Sequence, residues 1–377
     1  MLDGIRGLSI LLVLARHAAR AMHFDVEYQP TFPVGGWDGI VFFLNGWAGV
    51  DLFFILSGFL ITFILLKRKR EKALSFKRYL LKRFLRIAPS YYFVLFMVAL
   101  GLLPFYQRPV QDWWFRVAYH VAFLQDYLPA NFVVAFWSLG VEEKFYLLMP
   151  FLMMALFRLS NPRQGLVLIL SLICIPPMLR LWGFYQWQAQ LNHTTYFFWL
   201  RSPFHMSVDS LLSGVLVAYL CNFKEELGWP ARPNVQKGLY WSGLVGSTLL
   251  LGSTVLVKDL TPLSVAFTPN ALAFCFSLFV MGAVLLRDPP MGSFLKSKVL
   301  LIFCRLSYTL YLVHMCFMHS TRDWLWTVLT GQPPETFVFS TGFFLLYLLV
   351  FGAVSMVAAL LVHFLVEKPG LLLKDRL

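Results

Sequence analysis

Charge is what this 377-residue sequence has little of: 14% of its residues are charged, with 19 acidic side chains against 32 lysines and arginines. Soluble domains carry about 25% charge and about half apolar residues. Here 59% of residues are hydrophobic and the mean hydropathy is +0.68. A soluble protein with a large core is thereby excluded, and a chain that crosses a membrane many times takes its place. Cysteine is scarce as well. Cys174, Cys221, Cys275, Cys304 and Cys316 are odd in number, contain no CxxC and fall in or beside apolar segments. That pattern excludes a disulfide framework and leaves packing residues. The histidines lack HExxH spacing, so no metal site is expected. No repeat of 20–50 residues and no inverted symmetry between halves is visible. The first apolar run is expected to be a helix rather than a cleavable signal peptide: it ends in "ARHAARA", where Arg16, His17 and Arg20 would be out of place for a signal.

What is present is a series of apolar runs near 20 residues long. Ten are found, at 4–22, 41–66, 89–106, 136–157, 165–183, 204–221, 238–257, 267–286, 300–319 and 337–366. The fold class is therefore all-α and polytopic, about ten transmembrane helices in one domain over 1–377. The second and tenth runs are too long for straight spans and should tilt, break or extend past the bilayer. Orientation follows from lysine and arginine. With the N-terminus inside, inner segments hold 23 of the 32 basic residues, ten of them between Lys67 and Arg86, and outer loops hold six. Both termini are expected in the cytoplasm. The net charge of +13 then reflects topology and anionic lipid headgroups rather than nucleic acid. The aromatic stretch "DWWFRVAYHVAFLQDYLPANF" is expected at the outer interface or re-entering the membrane.

Ionisable residues inside a span are costly and mark candidate sites. His17 follows Arg6 by 11 residues, about 20° past three full turns, so the two share a helix face about 16 Å apart along the axis. Asp51 in "GVDLFFILSGFLIT" and Glu142 in "FWSLGVEEKFYLLMP" lie early in spans that run inward. Arg201, His205 and Asp209 in "RSPFHMSVDSLLSG" are spaced i, i+4, i+8, as on one helix face. Asp51, Glu142, Asp209 and His17 are thus expected to converge in the outer half. A carboxylate there would hold the imidazole tautomer and make His17 a better base. On the inner side, "RKREKALSFKRYLLKRFLRIAP" reads as a basic hinge, with Lys82, Arg83 and Arg86 just before Pro89, where the third span should begin. Two arginines on one face suit a phosphate; plain anchoring explains the charge count equally well. Ser307, Tyr311 and His314 in "RLSYTLYLVHMCFMH" share a face and read as a structural polar seam ahead of a catalytic one.

Taken in order, "DGIRGLSILLVLARH", "GVDLFFILSGFLIT", "RFLRIAPSYY", "WSLGVEEKFY", the 209–214 stretch and "LSYTLYLVH" resemble the acyltransferase-3 family of multi-pass O-acyltransferases, which includes the O-antigen acetylases. The resemblance runs from Asp3 to Glu367. It implies a multi-pass helical fold that transfers an acyl group, often acetyl, from cytoplasmic acyl-CoA to a hydroxyl, commonly on a cell-envelope glycan. It places the essential histidine at His17, the first-span arginine at Arg6 and the arginine pair at Arg83 and Arg86. Two positions depart from its pattern: Gly140 and Lys144 stand where Ser and Gln are usual. The extracellular hydrolase-like domain that many members carry is not expected here.

The expected chemistry is then specific. Arg6, Lys82, Arg83 and Arg86 would hold the phosphates of acyl-CoA, with acetyl-CoA the simplest donor and no metal. The pantetheine arm would run along the first helix, and His17 would take the proton of an outer hydroxyl as its oxygen attacks the thioester. Glu142 is the first choice for its orienting partner and Asp51 the next. Asp209, His205, Trp137 and Tyr146 are candidates for acceptor binding. Partners are membrane lipids and a carbohydrate or other hydroxyl acceptor; the sequence leaves the oligomeric state open. A proton-coupled transporter or a glycan flippase would use the same intramembrane His, Glu and Asp and stays open as an alternative.

Overall fold

The computed structural model describes residues 1–22, 33–34, 37–103, 105–106, 111–228, 232–254 and 260–375. Three of the counted basic residues, Arg108, Lys258 and Arg376, lie outside the described residues. So do parts of the loop before residue 111 and the end of the seventh run.

Ten long helices carry the described chain, one for each apolar run. They are α1 (Leu2–Met22), α2 (Ala48–Arg70), α3 (Phe76–Ala99), α4 (Trp137–Arg158), α5 (Pro162–Trp187), α6 (Phe204–Asn222), α7 (Pro233–Leu251), α8 (Pro262–Leu285), α9 (Lys298–Thr330) and α10 (Thr341–Val362). The only strands among the described residues are Pro33–Val34 and Trp37–Asp38, a two-residue antiparallel pair. The chain is an all-α polytopic membrane protein. Six helices are long and apolar enough to cross a membrane: α2 with the turn before it, α5, α6, α8, α9, and α10 with its continuation to Leu373. Helices α1, α3, α4 and α7 fall outside that set. Three of the four are the charge carriers: Arg6, Arg16 and Arg20 on α1, Lys82, Arg83 and Arg86 on α3, and Glu142, Glu143 and Lys144 on α4. Departure from membrane composition therefore concentrates on the helices that carry the candidate site.

Helix starts follow local chemistry. The Asn161 side chain accepts from the Arg163 N–H at the head of α5, with Pro162 in the first turn where its missing N–H does no harm. Thr261 and Ser264 form a reciprocal capping box at α8. At α3 the cap corrects an expectation. Ser75 accepts from the Arg78 N–H at 3.3 Å, so the helix begins at Phe76 and runs through Pro89. The basic stretch is thus mostly helix, not hinge. Proline removes one backbone donor and strains one turn, which here does not end the helix. Lys82, Arg83 and Arg86 consequently stand on a rigid helical face.

Packing brings the charged helices together. In lipid, association depends on close fit between backbones, not on a hydrophobic drive. Gly58 of α2 meets the Leu211 carbonyl of α6, and Gly214 of α6 meets the Ile55 carbonyl of α2; a side chain at either would collide with backbone. Helix α1 is gripped on two sides. Gly7 lies against Leu300 of α9, and Gly49 of α2 lies against Ser9 of α1. This fixes α1 between α2 and α9, which decides what His17 and Arg6 face.

Candidate functional site

His17 sits near the end of α1 and is only partly buried. Its Nδ1 lies 2.9 Å from the Val13 carbonyl and 3.2 Å from Nε2 of His314 on α9. The two imidazoles meet edge to face, with centroids 4.7 Å apart. His314 is fully buried, and its Nδ1 faces the carbonyls of Leu310 and Tyr311 at 3.1 and 2.9 Å. One helical turn earlier, the Tyr311 hydroxyl donates to the Ala135 carbonyl at 2.8 Å and lies 2.6 Å from the Ser138 hydroxyl of α4. The seam of Tyr311 and His314 therefore joins the candidate site. Its YLVH motif was visible in the sequence, but its side chains face His17 only because α1 packs on α9. Among the described residues no carboxylate is hydrogen-bonded to His17.

A second cluster gathers around Arg6. Its guanidinium lies over the Phe53 ring at 5.6 Å, and Phe53 meets Tyr311 edge to face at 6.5 Å. Aromatic contacts thus link Arg6 to the histidines. Glu142 belongs to this cluster, not to His17. It lies within electrostatic range of Arg6 and Arg86, near Tyr146 and Ser57. Tyr146 and Ser57 bond each other at 3.0 Å. Arg83 lies over the rings of Tyr79 and Tyr146 at 6.0 and 5.8 Å. Beside these residues a cavity of about 250 Å³ is lined by Arg68, Arg78, Lys82, Arg83 and Arg86, with Tyr79, Ser75, Ala73, Ile64 and Leu65. No carboxylate lines it. Around it, Arg6 Nε, the Tyr79 hydroxyl and Glu143 Oε1 are buried with no hydrogen-bond partner. Such orphans are costly unless something else answers them. Arg68 and Arg78 had been read only as anchors in a charge count. Their convergence with Arg83 depends on the tight turn between α2 and α3.

The remaining expected members stand apart. Asp51 is fully buried, taking Arg201 Nη2 at 2.8 Å and the Ser210 hydroxyl at 2.7 Å. Asp209 is held by Arg180 at 2.8 Å, and Arg180 also donates to Asn270 and to the carbonyls of Met206 and Ala266. The expected outer convergence of Asp51, Glu142, Asp209 and His17 is therefore not what the structure holds. Buried carboxylates demand an opposite charge, and here guanidiniums from other helices supply it. Arg201, His205 and Asp209 do not share one face either. Arg201 ends a π-helical turn, Tyr196–Arg201, and Pro203 precedes the start of α6. His205 instead bonds the Tyr127 hydroxyl at 3.0 Å on an exposed surface. Trp137 is buried, with Arg201 packed over its ring at 5.1 Å and over Trp47 at 5.5 Å.

The two departures from the family pattern explain each other. Lys144 Nζ donates to Asp126 at 2.6 Å and to the Phe123 carbonyl at 2.6 Å. A Cβ on Gly140 would lie 2.8 Å from that same Asp126 carboxylate oxygen. Lysine at 144 thus provides the counter-charge, and glycine at 140 provides the space. Asp126 also accepts from the Phe204 N–H at the head of α6. The aromatic stretch includes a short helix, Trp113–Val121, that folds back on α3 through Tyr91 and Tyr92, whose hydroxyls donate to the carbonyls of His120 and Val121. Among the described residues no cluster of His, Cys, Asp and Glu could hold a metal ion.

Comparison with known proteins identifies the family. The acyltransferase domain of the acyltransferase-3 family matches residues 1–363, so the chain belongs to that family. A peptidoglycan O-acetyltransferase, OatA, of Listeria monocytogenes is 29% identical over 187 residues, covering 45% of this chain and 27% of that protein. A putative peptidoglycan O-acetyltransferase of Bacillus subtilis, YrhL, is 25% identical over 189 residues, covering 46% of this chain and 26% of that protein. The O-acetyltransferase OatA of Staphylococcus aureus is 25% identical over 309 residues, covering 73% of this chain and 47% of that protein. The alignments thus span less than half the length of these relatives. No solved structure matches the chain.

Proposed function

We propose that this acyltransferase-3 chain is a membrane O-acyltransferase that moves an acyl group, most simply acetyl, from cytoplasmic acyl-CoA to a hydroxyl of a cell-envelope glycan. The observation that carries the reading is the cavity lined by no carboxylate and by five basic side chains, one of which, Arg86, lies within electrostatic range of Arg6 on the helix that carries His17. A cavity lined by five basic side chains suits a donor bearing several phosphates. The relatives' names as peptidoglycan O-acetyltransferases support acetyl as the group and a glycan as the acceptor.

In this reading the basic face of α3 lies in the cytoplasm. Arg83 and Arg86, with Lys82, Arg68 and Arg78, take the phosphates. Glu142, with Tyr146 and Ser57, keeps Arg6 and Arg86 in place. The pantetheine arm follows α1 past Phe53, a run of about 16 Å from Arg6 to His17. At the far end an acceptor hydroxyl gives its proton to His17 as its oxygen bonds the thioester carbon. The C–S bond then breaks, and the thiolate takes the proton back from His17. His17 is the catalytic residue of the proposal; Asp51, Asp209, Trp137 and His205 are left to hold the helices and the outer rim.

The test is turnover in proteoliposomes, with free thiol released from acetyl-CoA measured alongside acetyl ester formed on added peptidoglycan fragments. Equal amounts of thiol and ester are expected. Proton or glycan flux across the vesicle without thiol release would overturn the reading in favour of a transporter or flippase. Accessibility of single cysteines in the 71–75 turn from the cytoplasmic side only would fix the donor side, and labelling from outside would reverse it.

A further inference from the structure

Resting on the reading of His17 as base, we propose that His314 is its positioning residue: a neutral imidazole on α9 does the work expected of a carboxylate. The assignment follows from counting donors and acceptors. Nδ1 of His314 faces two carbonyls, Leu310 and Tyr311, and neither can donate. That nitrogen must therefore carry the hydrogen, which leaves Nε2 of a neutral His314 with a bare lone pair. The lone pair lies 3.2 Å from Nδ1 of His17. Nδ1 of His17 in turn faces the Val13 carbonyl at 2.9 Å, so it too is protonated. Its hydrogen is shared between Val13 and His314.

Two consequences follow. First, the tautomer of His17 is set with Nε2 bare, and Nε2 is the nitrogen left to accept a proton. His17 is partly exposed, whereas His314 is closed in completely. Only one of the two rings can therefore meet a substrate. Second, the ring cannot turn over without loss. A 180° flip would put a C–H against two acceptors, so both favour the orientation that leaves Nε2 free. When Nε2 takes the acceptor's proton, the imidazolium keeps its Nδ1–H on His314 and Val13, a charge-assisted bond in place of an ion pair. Tyr311, anchored to α4 through Ala135 and Ser138, backs the His314 ring at 5.7 Å and holds α9 in register. A histidine partner has a further effect in lipid: the resting His17–His314 pair is itself neutral, so it adds no charge beside Arg16 and Arg20 and avoids the penalty of an intramembrane carboxylate.

The experiment compares His314→Gln, which keeps an acceptor oxygen, with His314→Phe, which keeps bulk and loses the lone pair. Turnover of acetyl-CoA with peptidoglycan fragments is measured on purified protein, with stabilisation by 1 mM CoA used to check that each variant is folded. His314→Phe should lower kcat about tenfold to a hundredfold with donor and acceptor KM unchanged. His314→Gln should stay within a fewfold of the native enzyme. If Phe matches or exceeds Gln, His314 is a packing residue and the inference falls. If His17→Ala also keeps full turnover, the reading of the base falls with it; a dead His17→Ala beside a fully active His314→Phe overturns the partner alone. Should either variant fail to assemble, spectra of [15N]histidine-labelled native protein decide. His314 should show a protonated Nδ1 and a bare Nε2 at neutral pH. A protonated Nε2 on His314 would leave it no lone pair to offer and would overturn the inference.

Discussion

Arg180 and Arg83 are both guanidiniums on long helices of one bundle, and they are answered in opposite ways. Arg180 is fully buried, with Asp209, Asn270 and two carbonyls around it. Arg83 makes no ion pair within 4 Å among the described residues: it lies over two aromatic rings, with Glu143 only within electrostatic range, and shares a cavity with four other basic side chains. A softer contrast separates Asp51, which is fully buried, from Glu142, which is half-buried. Asp51 is bonded directly by Arg201 and Ser210, although Arg201 Nη1 is left without a partner, while Glu142 lies within electrostatic range of Arg6 and Arg86 with no ion pair as close as 4 Å among the described residues. A charge in a membrane helix is thus a poor guide to function until its partners are counted. In the proposed reading, closed sets hold helices together and open sets take the donor. The family assignment makes an open set at the basic end, with a histidine pair further along α1, the arrangement to test.

The largest expected effect is at the histidine. His17→Ala should lower transfer by about 10² to 10⁴-fold, the usual contribution of a positioned base, with unchanged yield in membranes. Activity per folded molecule, measured as ester formed, is the check; transfer near the native rate would move the base elsewhere. The closed region should behave in the reverse way. Arg180→Met leaves Asp209 buried without its counter-charge, a loss of about 3–5 kcal/mol for a broken buried pair. Thermal stability and yield in detergent should drop sharply, while the surviving folded fraction keeps a donor KM close to native. A normal melting temperature with a large KM change would erase the distinction between closed and open sets.

Much of this was legible from residue order alone, and the failures have two kinds of cause, one in distant packing and one in local backbone. Ten apolar runs became ten long helices, because hydrophobic length is a local property of the chain. Arg6 and His17 lie on one helix, so their spacing was fixed by helix geometry. The partner of His17 was not legible, since it depends on how α1, α4 and α9 rotate against one another. Gly7 and Gly49 set that rotation through contacts with Leu300 and Ser9, far away in sequence. The shared face of Arg201, His205 and Asp209 failed for a local reason, the π-helical turn and Pro203 between them. Pro89 misled in the other direction, by sitting inside a helix that a Ser75 cap had already started.

A smaller effect is expected at the arginine pair. A charged hydrogen bond to phosphate is worth about 1.5–3 kcal/mol, so Arg83→Ala or Arg86→Ala should raise donor KM about tenfold to a hundredfold, with acceptor KM little changed. Arg→Lys should recover only part, because a point charge cannot make the paired contact. If these residues merely anchor the helix, yield will fall and the donor KM of the folded protein will not move.

The smallest effect, and the one that most sharpens the comparison, is at Arg68 and Arg78. Both line the cavity, but Arg78 is exposed and Arg68 is only partly covered. An exposed charge contributes about 0.2–1 kcal/mol to a pair, so each alanine variant should raise donor KM by only about 1.5- to fivefold. Salt should separate them from Arg83 and Arg86. Screening acts within about 10 Å at 0.1 M salt and strengthens further at 1 M, so the Arg68→Ala and Arg78→Ala defects should fade as salt is raised. The Arg83→Ala defect should persist, because that guanidinium is held against the rings of Tyr79 and Tyr146. Donor KM for the four variants across a salt series is the measurement. Equal salt sensitivity at all four would mean that the cavity acts as a diffuse basic surface, with no graded path from its exposed rim to the interior at Arg6.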